Sequence, residues 1–265
     1  MKTIRITTIQ APNQDFIVRE ISSYLARRLV IETEFVIDAP WQERQRLLDI
    51  GEVDIAWICG LPYVWRADRG RPELELLVAP VMQGERYQDR PIYFSDVIVR
   101  RESHHRNFGD LRGARWAYNE PHSHSGYNVT LAALAALGAR WDFFATAIES
   151  GSHERSIEMV IDGTADASAI DSTVLELARD IDVRIDNELR VLTSLGPSPI
   201  PPFVILKSVK SSLRTAVRKA LTEMHNEKDG RLILGEGKIR RLQAVDDEDY
   251  NPIRLMAREA LNIRL

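Results

Sequence analysis

The sequence predicts an α/β protein of two lobes, and three observations carry that expectation. Strand-like and helix-like runs alternate along most of the chain, 265 residues are enough for two units of ordinary size, and a proline-rich segment near residue 195 offers a return path between them.

Residues 1–6 adopt a strand pattern at once, centred on Ile4-Arg5-Ile6. From Asp15, Ile17, Ile21, Leu25 and Leu29 recur at helical spacing among Phe16, Glu20, Tyr24 and Arg27. The unit then repeats as strand 34–37, helix 43–48, strand 53–58 and short helix 62–67, an alternation that predicts a parallel sheet covered by helices. Residues 74–81 and 92–100 read as longer strands separated by a polar turn at Gly84, Glu85 and Asp89. A second array follows, with strands at 116–119, 144–148 and 165–170 and helices at 125–137 and 154–161. Strand character resumes at 189–193. The run Gly196-Pro197-Ser198-Pro199-Ile200-Pro201-Pro202 then holds four of the chain's 12 prolines, whose fixed φ stiffens the path into a strand at 203–205. Beyond it, Leu213, Val217, Ala220, Leu221 and Met224 share one helical face and Ile253, Met256, Ala257 and Leu261 another; no strand is expected after Ile205. The expected organisation is a first lobe made of 1–91 and 196–265, including the C-terminal helices, and a second lobe of 92–195, joined by two crossings that form a hinge.

Composition narrows the function. With 35 Lys plus Arg interspersed among 39 Asp plus Glu, the formal charge is −4 and no basic stripe forms, so nucleic acid is not an expected partner. Apolar runs such as 97–99 fall far short of the roughly 20 residues needed to span a bilayer. Cys59 is the only cysteine, which excludes an internal disulfide. An export signal has no room before the first strand; the expected location is cytoplasmic if the chain is complete as written, and periplasmic or extracellular if a signal has been removed.

Turns at the carboxyl ends of strands in an open α/β sheet carry ligands, because helices starting there present unpaired N–H groups. The most informative turn is Asn119-Glu120-Pro121-His122-Ser123-His124-Ser125-Gly126-Tyr127. Its serine hydroxyls and the following amides suit an oxyanion, although Ser123 or Ser125 is also a natural helix cap; the two roles are compatible. A second such turn carries His153, and a third carries Asp171, either an N-cap or a group that orients a ligand hydroxyl or amine. In the first lobe, Cys59 and Gly60 end a strand and open a short helix; Tyr63 there and Tyr93 of the second lobe are positioned to close a pocket, unless both are simply half-buried packing. Ser125, His153 and Asp171 also permit a hydrolytic triad on paper, but no Gly-x-Ser-x-Gly elbow accompanies them. A Cys59–His153 thiol pair is weaker still. His122, His124, His104 and His105 lack a second ligand pair at matching spacing, so neither a metal nor any other cofactor is expected.

Taken together, these motifs resemble the phosphonate-binding group of ABC-transporter substrate-binding proteins, within the type 2 periplasmic binding fold. Gly51-Glu52-Val53-Asp54-Ile55-Ala56-Trp57, Tyr93 to Arg100, Asp110-Leu111-Arg112-Gly113 and Pro121 to Tyr127 are each similar to a family segment. So are Gly151-Ser152-His153, Asp166 to Ser172, Pro199-Ile200-Pro201 and Asp249 to Arg254. The resemblance implies two lobes that close on a phosphonate or phosphate-like oxyanion held by Ser123, Ser125 and neighbouring N–H groups such as that of Gly126, with His153 and Asp171 completing the site. It also implies an ABC permease as partner if the protein is exported, and a monomer without catalytic activity. His124 stands where the family loop usually has threonine; either a protonated His124 adds charge and strengthens binding below about pH 6.5, or its ring fills space and selects a smaller ligand. The alternatives are a cytosolic enzyme of cofactor biosynthesis and a ligand-sensing module on the same scaffold.

Overall fold

The computed structural model describes residues 3–69, 73–139, 142–261, 263 and 265. Met1 and Lys2, part of the expected first strand, lie outside the described residues. In chain order the elements are β1 (Ile4–Thr8), α1 (Asp15–Leu29), β2 (Thr33–Phe35), α2 (Trp41–Asp49), β3 (Ile55–Trp57), α3 (Gly60–Asp68), β4 (Leu74–Met82) and β5 (Ile92–Arg100). There follow β6 (Arg115–Tyr118), α4 (Val129–Ala136), β7 (Thr146–Glu149), α5 (His153–Ile161), β8 (Ala167–Asp171), α6 (Ser172–Ile181), α7 (Val183–Glu188) and β9 (Leu189–Pro199). The chain ends with β10 (Phe203–Leu206), α8 (Ser211–Glu223), α9 (Lys228–Glu236), β11 (Ile239–Gln243) and α10 (Asn251–Glu259).

Two compact units result. One comprises Met1–Ile92 and Pro199–Tyr250, the other Tyr93–Ser198 and Asn251–Leu265. A third passage of the chain, at Tyr250–Asn251, is added to the two expected from sequence. It corrects the placement of the C-terminal helix, which belongs to the second unit: α10 packs on α4, and Ala260 and Ile263 join the core around Trp116.

The first unit holds a sheet of order β2-β1-β3-β10-β4-β11. β1 pairs in parallel with β2 and β3, as the alternation predicts, whereas β10 runs antiparallel to β3 and β4, and β11 antiparallel to β4. The sheet is therefore mixed, because β10 arrives from the returning chain rather than through a helical crossover. α1 covers it with Ile17, Val18, Ile21 and Leu25, each at most 1% exposed. Each such side chain contributes about 1.5–3 kcal/mol of burial. β11 corrects the expectation that no strand follows Ile205. Its apolar residues, Ile239 and Leu242, are three apart because the register shifts between Ile239 and Arg241, and that shift erases the period-two signal.

The second unit holds a sheet of order β7-β6-β8-β5-β9. β6 pairs in parallel with β7 and β8, while β5 runs antiparallel to β8. Trp116 of β6 is fully buried, stacked on Phe144 with ring centroids 4.7 Å apart, and Phe108 and Phe143 complete an aromatic floor. That floor fixes the end of β6, from which the polar turn at 119–128 departs.

Candidate functional site

β7, β6 and β8 lie side by side and parallel, so the turns leaving their carboxyl ends are neighbours, and each opens a helix. After β6 the chain runs through Asn119 and Glu120 to Ser123, whose extended backbone caps a single π turn, His124–Asn128, that leads into α4. Ser123 Oγ accepts from Gly126 N at 3.0 Å, and the Asn128 amide bonds Ser123 O at 3.1 Å across five residues. Capping, one of the two roles open in the sequence, thus falls to Ser123, and the helical start lies one residue before Ser125. Ser125 Oγ turns instead to His153, 3.1 Å from Nε2.

His153 is the first residue of α5, after Ser152, whose Oγ accepts from Arg155 N. Ser150 N and Gly151 N bond the carbonyls of Tyr118 and Asn119, which ties the turn after β7 to the turn after β6. Asn119 Nδ2 lies 3.4 Å from His153 Nε2. An amide nitrogen only donates, so Nε2 accepts and the ring proton sits on Nδ1, a buried atom with no hydrogen-bond partner among the described residues. Burial pushes the His153 pKa down to about 4, which keeps the ring neutral. Gly126 is required here by contact: a Cβ on it would stand 2.1 Å from Asn119 Oδ1.

The third turn follows β8. Asp171 caps α6, its Oδ1 accepting from Thr173 N at 2.8 Å and Thr173 Oγ1 at 2.6 Å. Burial pushes its pKa up to about 6 despite those bonds. β8 also packs against the π turn, so Ser123, Ser125, Gly126, His153 and Asp171 sit on three adjoining turns of one unit. Glu120, on the approach to the π turn, is pushed up to about 7 by burial and by Glu149.

Other sequence candidates are placed differently. Tyr93 is 1% exposed, a core side chain rather than a pocket lid, with its ring 6.4 Å from that of His124. His124 is completely buried, its pKa pushed down to about 3 by burial alone, which overturns the expectation that it lends positive charge to an anion. In the first unit, Cys59 stands at the N-cap of α3 without a side-chain capping bond, followed by buried Gly60. Tyr63 donates its hydroxyl to Asp247 Oδ1 at 2.8 Å and packs edge-on against Tyr250, 5.1 Å between centroids. It is a 6% exposed fastening of α3 to the 247–250 turn. Sequence reasoning did not single out Asn119, Asn128, Thr173 or Ser198; the first two lie in or next to the polar turn already read, Asn128 bonding His124 four residues away and Asn119 reaching His153 across 34 residues.

The triad possibility is only half built. Ser125 and His153 make the nucleophile–base contact, yet Asp171 bonds Thr173 and no carboxylate orients the imidazole among the described residues. A ring with a pKa of about 4 is also a poor general base at neutral pH. Cys59 and His153 belong to different units. No group of three or more His, Cys, Asp or Glu arranged to hold a metal occurs among the described residues. No helix of the described residues is long and apolar enough to cross a membrane.

A family model described as ABC transporter, phosphonate, periplasmic substrate-binding protein matches residues 11–250. The fold resembles that of a binding protein component of an ABC phosphonate transporter from Pseudomonas aeruginosa, at 17% identity and a TM-score of 0.84, covering 98% of this chain and 86% of that one. It also resembles PhnD1 from Prochlorococcus marinus, solved with methylphosphonate, at 18% identity and a TM-score of 0.85 over 99% of both chains. The periplasmic aliphatic sulphonate-binding protein SsuA of Escherichia coli matches at 16% identity and a TM-score of 0.65, over 97% of this chain and 86% of its own. These neighbours have the two-sheet α/β architecture of type 2 periplasmic binding proteins.

Proposed function

Because the chain belongs to the periplasmic substrate-binding proteins of phosphonate ABC transporters, a family of binding proteins and not of enzymes, we propose that its second unit holds a small phosphonate through Ser123, Ser125, His153 and Asp171; the Gly126 N–H, expected as a ligand donor, is taken up by Ser123 Oγ. The observation that carries this reading is the adjacency of three helix starts at the ends of β6, β7 and β8. Backbone N–H groups and hydroxyls there supply hydrogen bonds to an oxyanion, each about 1.5–3 kcal/mol when the acceptor is charged, and the helix dipoles add about 0.3–1 kcal/mol each. Three or four such bonds suffice for micromolar affinity, about 8 kcal/mol. Burial keeps His153 neutral, so hydrogen bonding rather than an imidazolium charge selects the ligand in this reading.

In this reading the protein delivers its ligand to a membrane permease as a monomer. Isothermal titration with methylphosphonate, phosphate, sulfate and an alkylsulphonate is the direct test. Methylphosphonate is expected to bind at micromolar Kd or tighter and to outcompete sulfate. Binding of the sulphonate alone would reject the phosphonate assignment and keep the oxyanion turn; binding of none would reject both.

A further inference from the structure

His124 lies within the proposed oxyanion turn and yet is turned away from any ligand role. Its ring is 0% exposed and both nitrogens are engaged by the protein: Asn128 Nδ2 lies 3.1 Å from Nδ1, and Ser198 Oγ lies 3.0 Å from Nε2. The Nδ2 nitrogen of Asn128 can only donate, so Nδ1 accepts, the proton resides on Nε2, and that N–H donates to Ser198. Ser198 is the last residue of the second unit on β9, where the chain leaves it. Tyr93, the first residue of the same unit on β5, sets its ring 6.4 Å from the imidazole at an interplanar angle of 45°. Ser198 Oγ also reaches Met256 Sδ on α10, 3.9 Å away. One buried ring therefore meets the second unit's first and last residues on its connecting strands.

We infer that His124 is a positioning residue that fastens the 124–128 turn to the connecting strands β5 and β9, so that the geometry of the turn and that of the strands are set together. A ligand contact does not account for the ring, since both nitrogens are already bonded and no surface is exposed. A charge-donating role does not either, because burial holds the ring neutral. An apolar residue of similar volume would fill the space but leave Asn128 Nδ2 and Ser198 Oγ without the imidazole between them, and unmade buried hydrogen bonds are costly. The inference uses the phosphonate reading only where ligand affinity is measured.

The test is Ser198→Ala, which removes the acceptor on β9 and leaves the turn and every proposed ligand contact in place. Hydrogen exchange of the ligand-free protein is expected to speed up about tenfold at residues 124–128, with β6 and β8 unchanged, and Ser198→Thr, which keeps a hydroxyl, is expected to restore protection. Methylphosphonate affinity is expected to fall about 2- to 10-fold in Ser198→Ala, the equivalent of one hydrogen bond. In 15N spectra the wild-type His124 ring is expected as the Nε2–H form, with no titration between pH 5 and 8, and its resonance is expected to move on methylphosphonate addition. Unchanged exchange at 124–128, exchange raised evenly throughout the second unit, or an Nδ1–H ring would overturn the fastening. A wild-type protein that ignores methylphosphonate would overturn the ligand reading, and the exchange experiment would still decide the role of His124.

Discussion

Ser123 and Ser125 are two residues apart and do different work. Ser123 satisfies the Gly126 amide, so its loss removes a cap worth about 0.5–2 kcal/mol to the turn, whereas Ser125 faces His153 and contributes to no cap. Ser125→Ala is accordingly expected to weaken methylphosphonate binding and to lower the melting temperature by the loss of its bond to His153, Ser123→Ala to lower both through the lost cap, and the double variant to lose about 1–3 kcal/mol of binding in total. Equal affinity of the double variant and the wild type, measured by calorimetry, would move the site elsewhere. The titratable groups beside these serines oppose one another. Asp171, raised to about 6, binds its proton more tightly in the native state than in the unfolded chain, so its contribution to stability is full at pH below about 4 and is lost as pH rises through 6. Glu120, raised to about 7, acts in the same sense. His124 and His153 run the other way: their native pKa values of about 3 and 4 lie below the usual 6.5, so the stability they contribute is present above pH 6.5 and is lost as pH falls toward those values. The two trends offset one another between about pH 4 and 6.5. Asp171→Asn deletes one of them, and its melting temperature is expected to drop more steeply than that of the wild type on acidification from pH 6.5 to 4.5. Parallel curves would show that Asp171 titrates normally.

At the scale of elements, the parts legible in the sequence were those with an uninterrupted period. β5 falls at residues 92–100 as read, and α1 starts at Asp15 and ends at Leu29 because its apolar stripe is continuous and Val30 adopts a left-handed cap. β11 was hidden by a register shift, and the antiparallel arrangement of β10 depends on where a distant strand docks, which no local pattern encodes. The turn at 119–128 was legible as polar chemistry between a strand and a helix; its π form was not, because the bond from Asn128 to Ser123 and the packing of Gly126 on Asn119 leave no apolar period to read. Gly126 has an ordinary φ, so its need for glycine comes from contact and not from backbone freedom. Gly126→Ala must displace the Asn119 amide, and overpacking of this kind costs about 1–3 kcal/mol. The expected result is a lower melting temperature together with a changed His153 ring resonance, since Asn119 is the neighbour of both; an unchanged His153 signal would show that the turn yields without disturbing Asn119.

The whole molecule is assembled by a chain that passes between its units three times, and the last passage decides what the C-terminus supports. The expectation that the C-terminal helices finish the first lobe rested on their position after the returning strand. Packing overrides that position: α8 and α9 cover the first unit's sheet, but α10 lies on α4 and against the 124–128 turn, with Ile253 fully buried, and Ala260 and Ile263 reach the aromatic floor beneath β6. A helix expected from sequence to finish the first lobe is thereby one of the supports of the 124–128 turn. Ile253→Ala removes a side chain with 0% exposure, a change that costs about 2–5 kcal/mol where the surroundings cannot collapse. Because stability is local before it is global, the loss should register first as faster hydrogen exchange in α4 and in residues 124–128, with β1 and β3 keeping their protection. Methylphosphonate affinity should fall with it, since a turn that opens more often binds in proportion to its closed population. Loosening confined to β1 and β3 would return α10 to the first unit and remove its connection to the 124–128 turn.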